Sequence, residues 1–479
     1  MASSRSLRVL RLMQDVGKAS CSCPAHSQAF GGGIAMARPG SRIPRKACST
    51  ASEQPDYAFE MACSNIRFGN GVTQEVGMDF EFMGAKNVCV MTDKTIASLP
   101  IMNVVLESLN SAKVNFEVYD KVRVEPTDVS FKDAIAFARA RNFDAYLAVG
   151  GGSVMDTCKA ANLYDSHRDA EFLDYVNAPI GKGLAVPGPV KPLIAIPTTS
   201  GTGSETTGVA IFDLTSIKTK TGIGSRVIRP LLGIVDPLHT LSMPNRVTTY
   251  SGFDVLCHAL ESYTAIPFNE RTPRPDHPKN RPAYQGSNPI SDIWSSHALR
   301  MIQKYFRRAV YDPEDLEARS EMHLASVFAG VGFGNAGVHL CHGMSYPIAG
   351  RVKQYKSRDY DVDHPIVPHG LSVVVTAPAV FNFTASSCPE RHLEAAKLLG
   401  TDITGVKLED AGKCLADTVR QYMYDLEVDD GLESLGYDSS DIPALVKGTL
   451  PQHRVTKLAP RPQTEEDLAA MFEKSMKVY

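Results

Sequence analysis

Residues 145–164 read "AYLAVGGGSVMDTCKAANLY", and the architecture of the chain turns on how that stretch is parsed. Ala145 to Val149 is a short apolar run bounded by glycine, which fits a strand buried on both faces rather than a helix. After Gly150, Gly151 and Gly152 the pattern becomes helical and runs from Ser153 to Tyr164. A strand that passes through glycines straight into a helix is the start of a β-α-β unit. Glycine there lets the backbone approach a ligand, and the free amides at a helix start favour a phosphate. Ser153 and Asp156 have the spacing of a capping box. The usual dinucleotide fingerprint is incomplete, because Met155 stands where its third glycine belongs. A well-capped turn without a ligand would look the same, so the loop needs support from its surroundings.

Both flanks supply that support. "NVCVMT" (87–92), "PLIAIPTT" (192–199) and "LLGIVDP" (231–237) read as strands, and "SFKDAIAFARARN" (130–142) as a helix burying Phe131, Ile135 and Ala138. Strands alternating with helices predict an α/β domain with a mostly parallel sheet covered on both faces. Beyond Pro244 the strand-like runs give way to helical stretches at 250–265, 291–309, 314–331 and 391–400. The expected division is a leader over 1–50, an α/β dinucleotide-binding domain over 51–240, and an all-helical metal-binding domain over 241–479. Two polar insertions interrupt the helices, "IPFNERTPRPDHPKNRPAYQGSNP" (266–289) and "RVKQYKSRDYDVDHP" (351–365).

Composition narrows the class. With 479 residues, 43% hydrophobic and 22% charged, the chain is long enough for two domains with substantial cores. No apolar run approaches the ~18 residues of a membrane span, and the run from Leu371 is broken by Pro378. Residues 1–50 hold eight Arg or Lys against the single acid Asp15. That surplus of seven leaves about −10 on the rest of a chain whose overall charge is −3. An acidic body is unsuited to nucleic acid. "MASSRSLRVLRLMQ", Arg-rich, Ser-rich and acid-poor, reads as a mitochondrial transit peptide. Past it, Cys63, Cys89, Cys158, Cys257, Cys341, Cys388 and Cys414 show no framework spacing, as suits a reducing compartment such as the matrix.

The chemistry-bearing motifs fall on both halves. "PTTSGTGSE" (197–205) follows the next strand with Thr198, Thr199 and Thr202 as donors. Loops after neighbouring parallel strands share the carboxyl edge of a sheet, where nucleotides bind. Asp93 in "VMTDKT" ends another strand, where a carboxylate accepts from ribose hydroxyls and repels a 2′-phosphate, favouring NAD over NADP. In "FDVLCHALESY" (253–263) a nearly all-apolar helix carries Asp254 and His258 four apart, on one face. Such a pair is half of a divalent-metal site. "HLCHGMSYP" (339–347) and "HPIVPHGLS" (364–372) add His342 and His369, each followed by glycine. One carboxylate and three imidazoles suit Fe²⁺ or Zn²⁺ and leave room for a substrate oxygen.

Taken in order and at these separations, "GGGSVMD", "PTTSGTGSE", "DVLCHALESY", "HGMSYP" and "PHGLS" resemble the iron-containing (group III) alcohol dehydrogenase family from about residue 60 onward. The resemblance implies metal ligation by Asp254, His258, His342 and His369, with His258 and His342 central to catalysis. It implies cofactor contacts from Asp93, Gly150, Gly151, Gly152, Ser153, Asp156, Thr198, Thr199 and Lys220. The basic leader and both insertions are similar to those of mitochondrial members that pass hydride from a hydroxyacid to an oxoacid. The implied substrates are 4-hydroxybutyrate, giving succinate semialdehyde, and 2-oxoglutarate, giving 2-hydroxyglutarate. The implied cofactors are a divalent metal, Fe²⁺ before Zn²⁺, and a tightly bound NAD(H). A conventional NAD-dependent alcohol dehydrogenase with exchangeable cofactor is the alternative, and a non-catalytic NAD- or metal-binding protein is the rival from another class. Partners are expected to be small molecules, not nucleic acid or membrane, and a homo-oligomer is compatible with this. The family commonly carries a second histidine as HGMxH, and Tyr346 stands at that position here. Because the substrates are acids, Arg271, Arg274, Arg351, Lys353, Lys356 and Arg358 in the two insertions are expected to supply a carboxylate anchor.

Overall fold

Side-chain alternation along each strand decides which helices cover it. The structure, a computed structural model, describes residues 54–479, so the leader expected at 1–50 lies outside the described residues. The strands are β1 (Asn65–Phe68), β2 (Asn87–Met91), β3 (Asn115–Tyr119), β4 (Ala145–Gly150), β5 (Leu193–Pro197), β6 (Val209–Leu214), β7 (Thr219–Gly224) and β8 (Leu232–Val235). Six form one sheet in the order β1-β8-β5-β4-β2-β3, every neighbouring pair parallel. Val88, Val90, Leu147, Val149, Ile194 and Ile196 point to one face, against α1 (Val76–Phe82) and α3 (Pro100–Ser111), which flank the short α2 (Lys94–Ala97). Cys89, Met91, Tyr146, Ala148, Leu193 and Ala195 point to the other, against α4 (Asp128–Arg139) and α5 (Gly152–Ser166). A one-residue slip in any central strand would exchange these two sets, so the register is strongly specified.

Strand order locates the ligand crevice. From β2 the chain steps outward to β3, whereas from β4 it steps the other way to β5. The order therefore reverses between β2 and β4, and open α/β sheets bind ligands outside the carboxyl ends of the strands at such a switch point. Asp93 follows β2, the three glycines close β4, and the threonine loop follows β5. The motifs thus arise from three adjacent strands.

The remaining strands form an unanticipated antiparallel hairpin, β6 paired with β7, that sits apart from the sheet. Past β8 the chain is helical: α6 (Asn245–Thr264), α7 (Pro289–Tyr311), α8 (Leu316–Ala336), α9 (Leu340–Gly350) and α10 (His369–Val374) lead into further short helices to the end. Among the described residues no single helix is long and apolar enough to cross a membrane. Helix α6 packs against α7, α8 and α10, which explains why it is apolar nearly all round. Residues 54–62 are tied to this helical part before the chain enters the sheet. Glu60 N donates to Gln285 Oε1 at 2.8 Å, Ala62 N to Asn335 Oδ1 at 2.9 Å, and Arg281 pairs with Asp56 at 3.1 Å.

Candidate active site

The sheet edge meets the helices at a cavity of about 700 Å³, lined by residues of both parts. At the sheet end, Gly151 rather than Ser153 is the N-cap of α5, and no side chain caps it. The amides of Val154 and Met155 both return to Gly151 O at 3.1 Å, whereas the amides of Gly152 and Ser153 have no carbonyl of their own helix to pair with, and both residues line the cavity beside Gly151. The capping box expected from Ser153 and Asp156 is therefore not formed. The helix starts one residue before Ser153, whose hydroxyl instead accepts from Glu125 N at 3.1 Å. Asp156 accepts from Ser204 Oγ at 2.6 Å and Ile211 N at 2.8 Å, tying the threonine loop to the hairpin. Gly150 ends β4 outside the cavity lining. Gly152 is required by close approach, since a Cβ there would lie 2.5 Å from Thr202 Cγ2.

Thr198 and Thr199 line the same end, and Thr198 Oγ1 is buried without a hydrogen-bond partner. Asp93 lines it too, but its Oδ1 caps α2 by accepting from Ile96 N at 2.9 Å. Burial raises its pKa against these backbone bonds. Lys220, on β7, is buried between Glu125, which it contacts closely, and Asp213 at 3.1 Å. Its charge is therefore already met twice.

At the helical end, Asp254 Oδ1 is ringed by imidazoles: His342 Nε2 at 3.5 Å, and His258 Nε2 and His369 Nε2 each at 3.6 Å. Asp254, His342 and His369 present ligand atoms all within 4.8 Å of one another. His258 stands outside that compact trio, with its ring stacked on Phe333 at 3.9 Å and on His342 at 4.6 Å. Gly370 lets α10 deliver His369 to this point, because a Cβ there would fall 1.8 Å from Tyr250 O on α6. Burial opposes ionisation of Asp254, but the surrounding imidazoles hold it below the usual carboxylate range. Burial, joined by repulsion from His342 and His369, pushes His258 down to about 3 against the pull of Asp254.

Sequence reasoning missed Glu261, although it lies one further turn along the α6 face that carries Asp254 and His258. It is fully buried, and its Oε1 accepts from the amides of His339 at 3.0 Å and Cys341 at 2.7 Å, capping α9. Its Oε2 contacts His342 Nδ1 closely. Despite the burial penalty, His342 and His339 keep Glu261 ionised, down to about 2. One carboxylate thus starts the helix and fixes the tautomer that turns His342 Nε2 toward Asp254.

The insertion cations are not brought to the site. Arg271 and Arg274 pack against residues 54–57, with Arg274 over the Tyr57 ring at 4.7 Å. Lys353 pairs with Asp441 at 2.6 Å, and Arg351 faces a second cavity. Lys356 and Arg358 are exposed. The insertion over 351–365 does reach the cleft, but with Asp359, Tyr360, Asp361 and Val362, because the chain between two buried elements turns its cations outward. Tyr346, one turn after His342, points into the cavity and accepts from Arg454 Nη2 at 2.5 Å.

Comparison with known proteins decides the ancestry. The sequence models "Iron-containing alcohol dehydrogenase" and "Fe-containing alcohol dehydrogenase family, C-terminal" match residues 63–237 and 283–476. This chain belongs to the iron-containing alcohol dehydrogenase family. Among curated members it is 64% identical over 479 residues to "Hydroxyacid-oxoacid transhydrogenase, mitochondrial" of Bos taurus, covering the whole of both chains. It is 63% identical over the same length, again covering both chains in full, to the protein of that name from Homo sapiens. Among solved members it superposes on a 1,3-propanediol oxidoreductase with TM-score 0.76 and 26% identity, covering 87% of this chain and 100% of that one. Values are the same for an alcohol dehydrogenase from Oenococcus oeni.

Membership of the family implies binding of a divalent metal and NAD(H). The residues present fit a metal. Asp254 Oδ1 and His342 Nε2 are buried with no hydrogen-bond partner, an arrangement costly unless a cation satisfies them. Bonds of 2.0–2.2 Å in a tetrahedral set place ligand atoms about 3.3–3.6 Å apart, which matches the separations of 3.5 and 3.6 Å around Asp254 Oδ1.

Proposed function

We propose that this chain is a hydroxyacid-oxoacid transhydrogenase. It would oxidise 4-hydroxybutyrate to succinate semialdehyde and reduce 2-oxoglutarate to 2-hydroxyglutarate, with a nicotinamide retained between the half-reactions. The observation that carries this reading is that one cavity joins a glycine loop and threonines at one end to a buried carboxylate with three imidazoles at the other. The 64% identity over the full length to a protein of that name supports the choice of substrates. The same relatives and the basic leader support a mitochondrial destination.

Asp254, His258, His342 and His369 would hold the metal, with Fe²⁺ the preferred ion. Gly151, Gly152, Ser153, Thr198 and Thr199 would hold the dinucleotide, with Lys220 lining its path. Gly150 and Asp156 would act indirectly, by ending β4 and by joining the threonine loop to the hairpin. When bound, the metal supplies Lewis-acid polarisation of the substrate oxygen and the nicotinamide a two-electron carrier. Glu261 keeps the Nδ1 proton of His342 in place, so that Nε2 remains a donor atom. Phe333 and Tyr360, which line the space between the two ends, would help to exclude water from the bound substrate. Small-molecule substrates fit a cleft of this size, and neither nucleic acid nor membrane is required by it.

Extensive dialysis followed by turnover tests the reading. Retained nicotinamide, with hydride passing from hydroxyacid to oxoacid without added NAD, is the expected result. Activity that appears only when NAD is supplied would make the chain a conventional dehydrogenase with exchanging cofactor.

A further inference from the structure

The charge balance of the cavity poses a problem for an acid substrate. Asp93, Glu125, Asp156, Asp254, Asp359 and Asp361 all line it, and apart from imidazoles the cations among its lining residues are Lys220 and Arg454. Lys220 is occupied by Glu125 and Asp213. Arg454, in the short helix His453–Thr456, is not matched in this way. Its Nη2 donates to the Tyr346 hydroxyl at 2.5 Å, its guanidinium lies 4.9 Å from the Tyr284 ring centroid, and its Nη1 is buried with no partner. Among the described residues it forms no ion pair with a carboxylate. Burial disfavours its charge, yet Tyr346 and Tyr284 keep it firmly protonated. A charged fork with an unspent buried donor in a cavity rich in acids is a site for an incoming anion.

Its position relative to the imidazoles matches a particular anion. Tyr346 follows His342 by one turn on the same face of α9, so side chains at these positions are neighbours. From His258 the wall continues through Phe333, stacked at 3.9 Å, to Tyr284, whose ring centroid is 6.2 Å from that of Phe333. Arg454 therefore closes the far end of an aromatic wall that begins at His258 and His342. Such a wall suits methylenes between two polar ends. In 4-hydroxybutyrate the carbinol carbon and the carboxyl carbon are three bonds apart, and in 2-oxoglutarate so are the keto carbon and the distal carboxyl carbon. With that carboxylate fixed, the α-carboxylate of the oxoacid takes the place of one hydrogen on the carbinol carbon. One cation can thus align both substrates on the same reacting point.

We propose that Arg454, held in place by the Tyr346 hydroxyl and the Tyr284 ring, binds the distal carboxylate shared by hydroxyacid and oxoacid. This rests on the transhydrogenase reading above. It also gives a role to Tyr346, the position at which the chain departs from the HGMxH pattern: the residue that replaces an imidazole there is the one that positions the guanidinium.

The test compares each acid with its uncharged-end isostere, 4-hydroxybutyrate with 1-butanol and 2-oxoglutarate with 2-oxopentanoate, in wild type, Arg454→Met, Arg454→Lys and Tyr346→Phe. Arg454→Met is expected to lower the ratio of kcat/KM values, acid over isostere, on the order of 100-fold for both pairs, mainly through KM. Arg454→Lys should recover part of that loss, because a point charge replaces the fork. Tyr346→Phe should cost about tenfold in the same ratios, through loss of one charge-assisted hydrogen bond. Unchanged ratios in Arg454→Met overturn the anchor and leave the transhydrogenase reading standing. Loss for 2-oxoglutarate alone also overturns it, since the α-carboxylate would then be the group bound. A wild type that prefers neither acid over its isostere overturns both proposals together. If Arg454→Met fails to fold, Tyr346→Phe decides, with unchanged ratios counting against the anchor.

Discussion

The two ends of the cavity are built by different means. At the sheet end the cavity is lined by Gly152 and Ser153 at the start of α5 and by Thr198 and Thr199, carried by the loops at the ends of β4 and β5, and the groups proposed to hold the dinucleotide there are largely backbone amides. At the helical end every contributing group is a side chain, drawn from α6, α9 and α10, with Asp254, His258 and His342 buried and His369 partly exposed. Backbone sites depend on how closely two loops approach. Side-chain sites depend on the identity of single residues and on what holds each of them. Substitutions should therefore fail abruptly at one end and gradually at the other.

The largest effect is expected from His342→Ala, with His258→Ala beside it. Removal of His342 takes away both a donor atom of the compact trio and the partner of Glu261. Metal content should fall close to zero, and turnover should drop by more than the ~10–100-fold typical of outer-shell changes. Circular dichroism should remain near wild type, because α9 is still capped by Glu261. His258, which lies outside the trio, provides the sharper comparison. Equal metal loss in both variants is expected for a four-residue set. Full metal and activity in His258→Ala would reduce the site to three protein ligands.

Glu261→Gln comes next. Metal affinity should weaken by ~10–100-fold, since the amide no longer holds the His342 proton as a carboxylate does. Loss of the charged cap on α9 should also cost about 1–2 kcal/mol of stability. Metal titration and thermal unfolding separate the two roles. A fall in stability with unaltered metal affinity would make Glu261 a helix cap and nothing more.

What could be read from the sequence follows the same contrast. The central strands β2, β4, β5 and β8 were recognisable because burial on both faces forces apolar runs, and α6 because its apolar surround isolates Asp254 and His258 at helical spacing. β1 and β3 were not recognised. "NIRF" and "NFEVY" are edge strands with exposed residues, so neither run nor alternation stands out. The β6–β7 hairpin turns through Thr215–Lys218 with a positive φ of 49° at Lys218, without the Asn-Gly or Gly pair that marks a tight turn. His342 and His369 come from separate helices far along the chain, and no spacing rule joins them to Asp254; the glycine after each singled them out, and the family resemblance then implied the same set. The insertion cations misled because proximity in sequence to a ligand says nothing about which way a polar loop turns. Arg454 had no local signal at all, being one arginine in a four-residue helix.

Gly152→Ala probes the backbone end. The added methyl would meet Thr202 Cγ2 at 2.5 Å and push the two loops apart. Retention of nicotinamide should weaken about tenfold, in line with a small overpacking cost of ~1–3 kcal/mol. Metal content should be unchanged, because among the described residues the ion pairs of Asp254, His258, His342 and His369 are with one another and with Glu261, not with either loop. Loss of metal together with nicotinamide would show that the two ends are not independent, and would break the comparison.

The smallest effect belongs to Asp93, whose two functions can be separated. Its Oδ1 caps α2, so deleting the side chain would disturb the turn whatever the cofactor is. Asp93→Asn keeps a capping oxygen of comparable strength and removes only the charge. A carboxylate near a 2′-phosphate opposes it by about 1–4 kcal/mol, depending on how far water screens the pair. Removing that charge lifts the repulsion but adds no cation to attract the phosphate. The ratio of NAD to NADP affinity should therefore fall by about tenfold rather than invert, with unfolding temperature close to wild type. Dissociation constants for both cofactors, measured on protein first stripped of nicotinamide, check this. An unchanged ratio would mean that Asp93 faces the cavity as a cap alone, and that preference for NAD is set by other groups at the sheet edge.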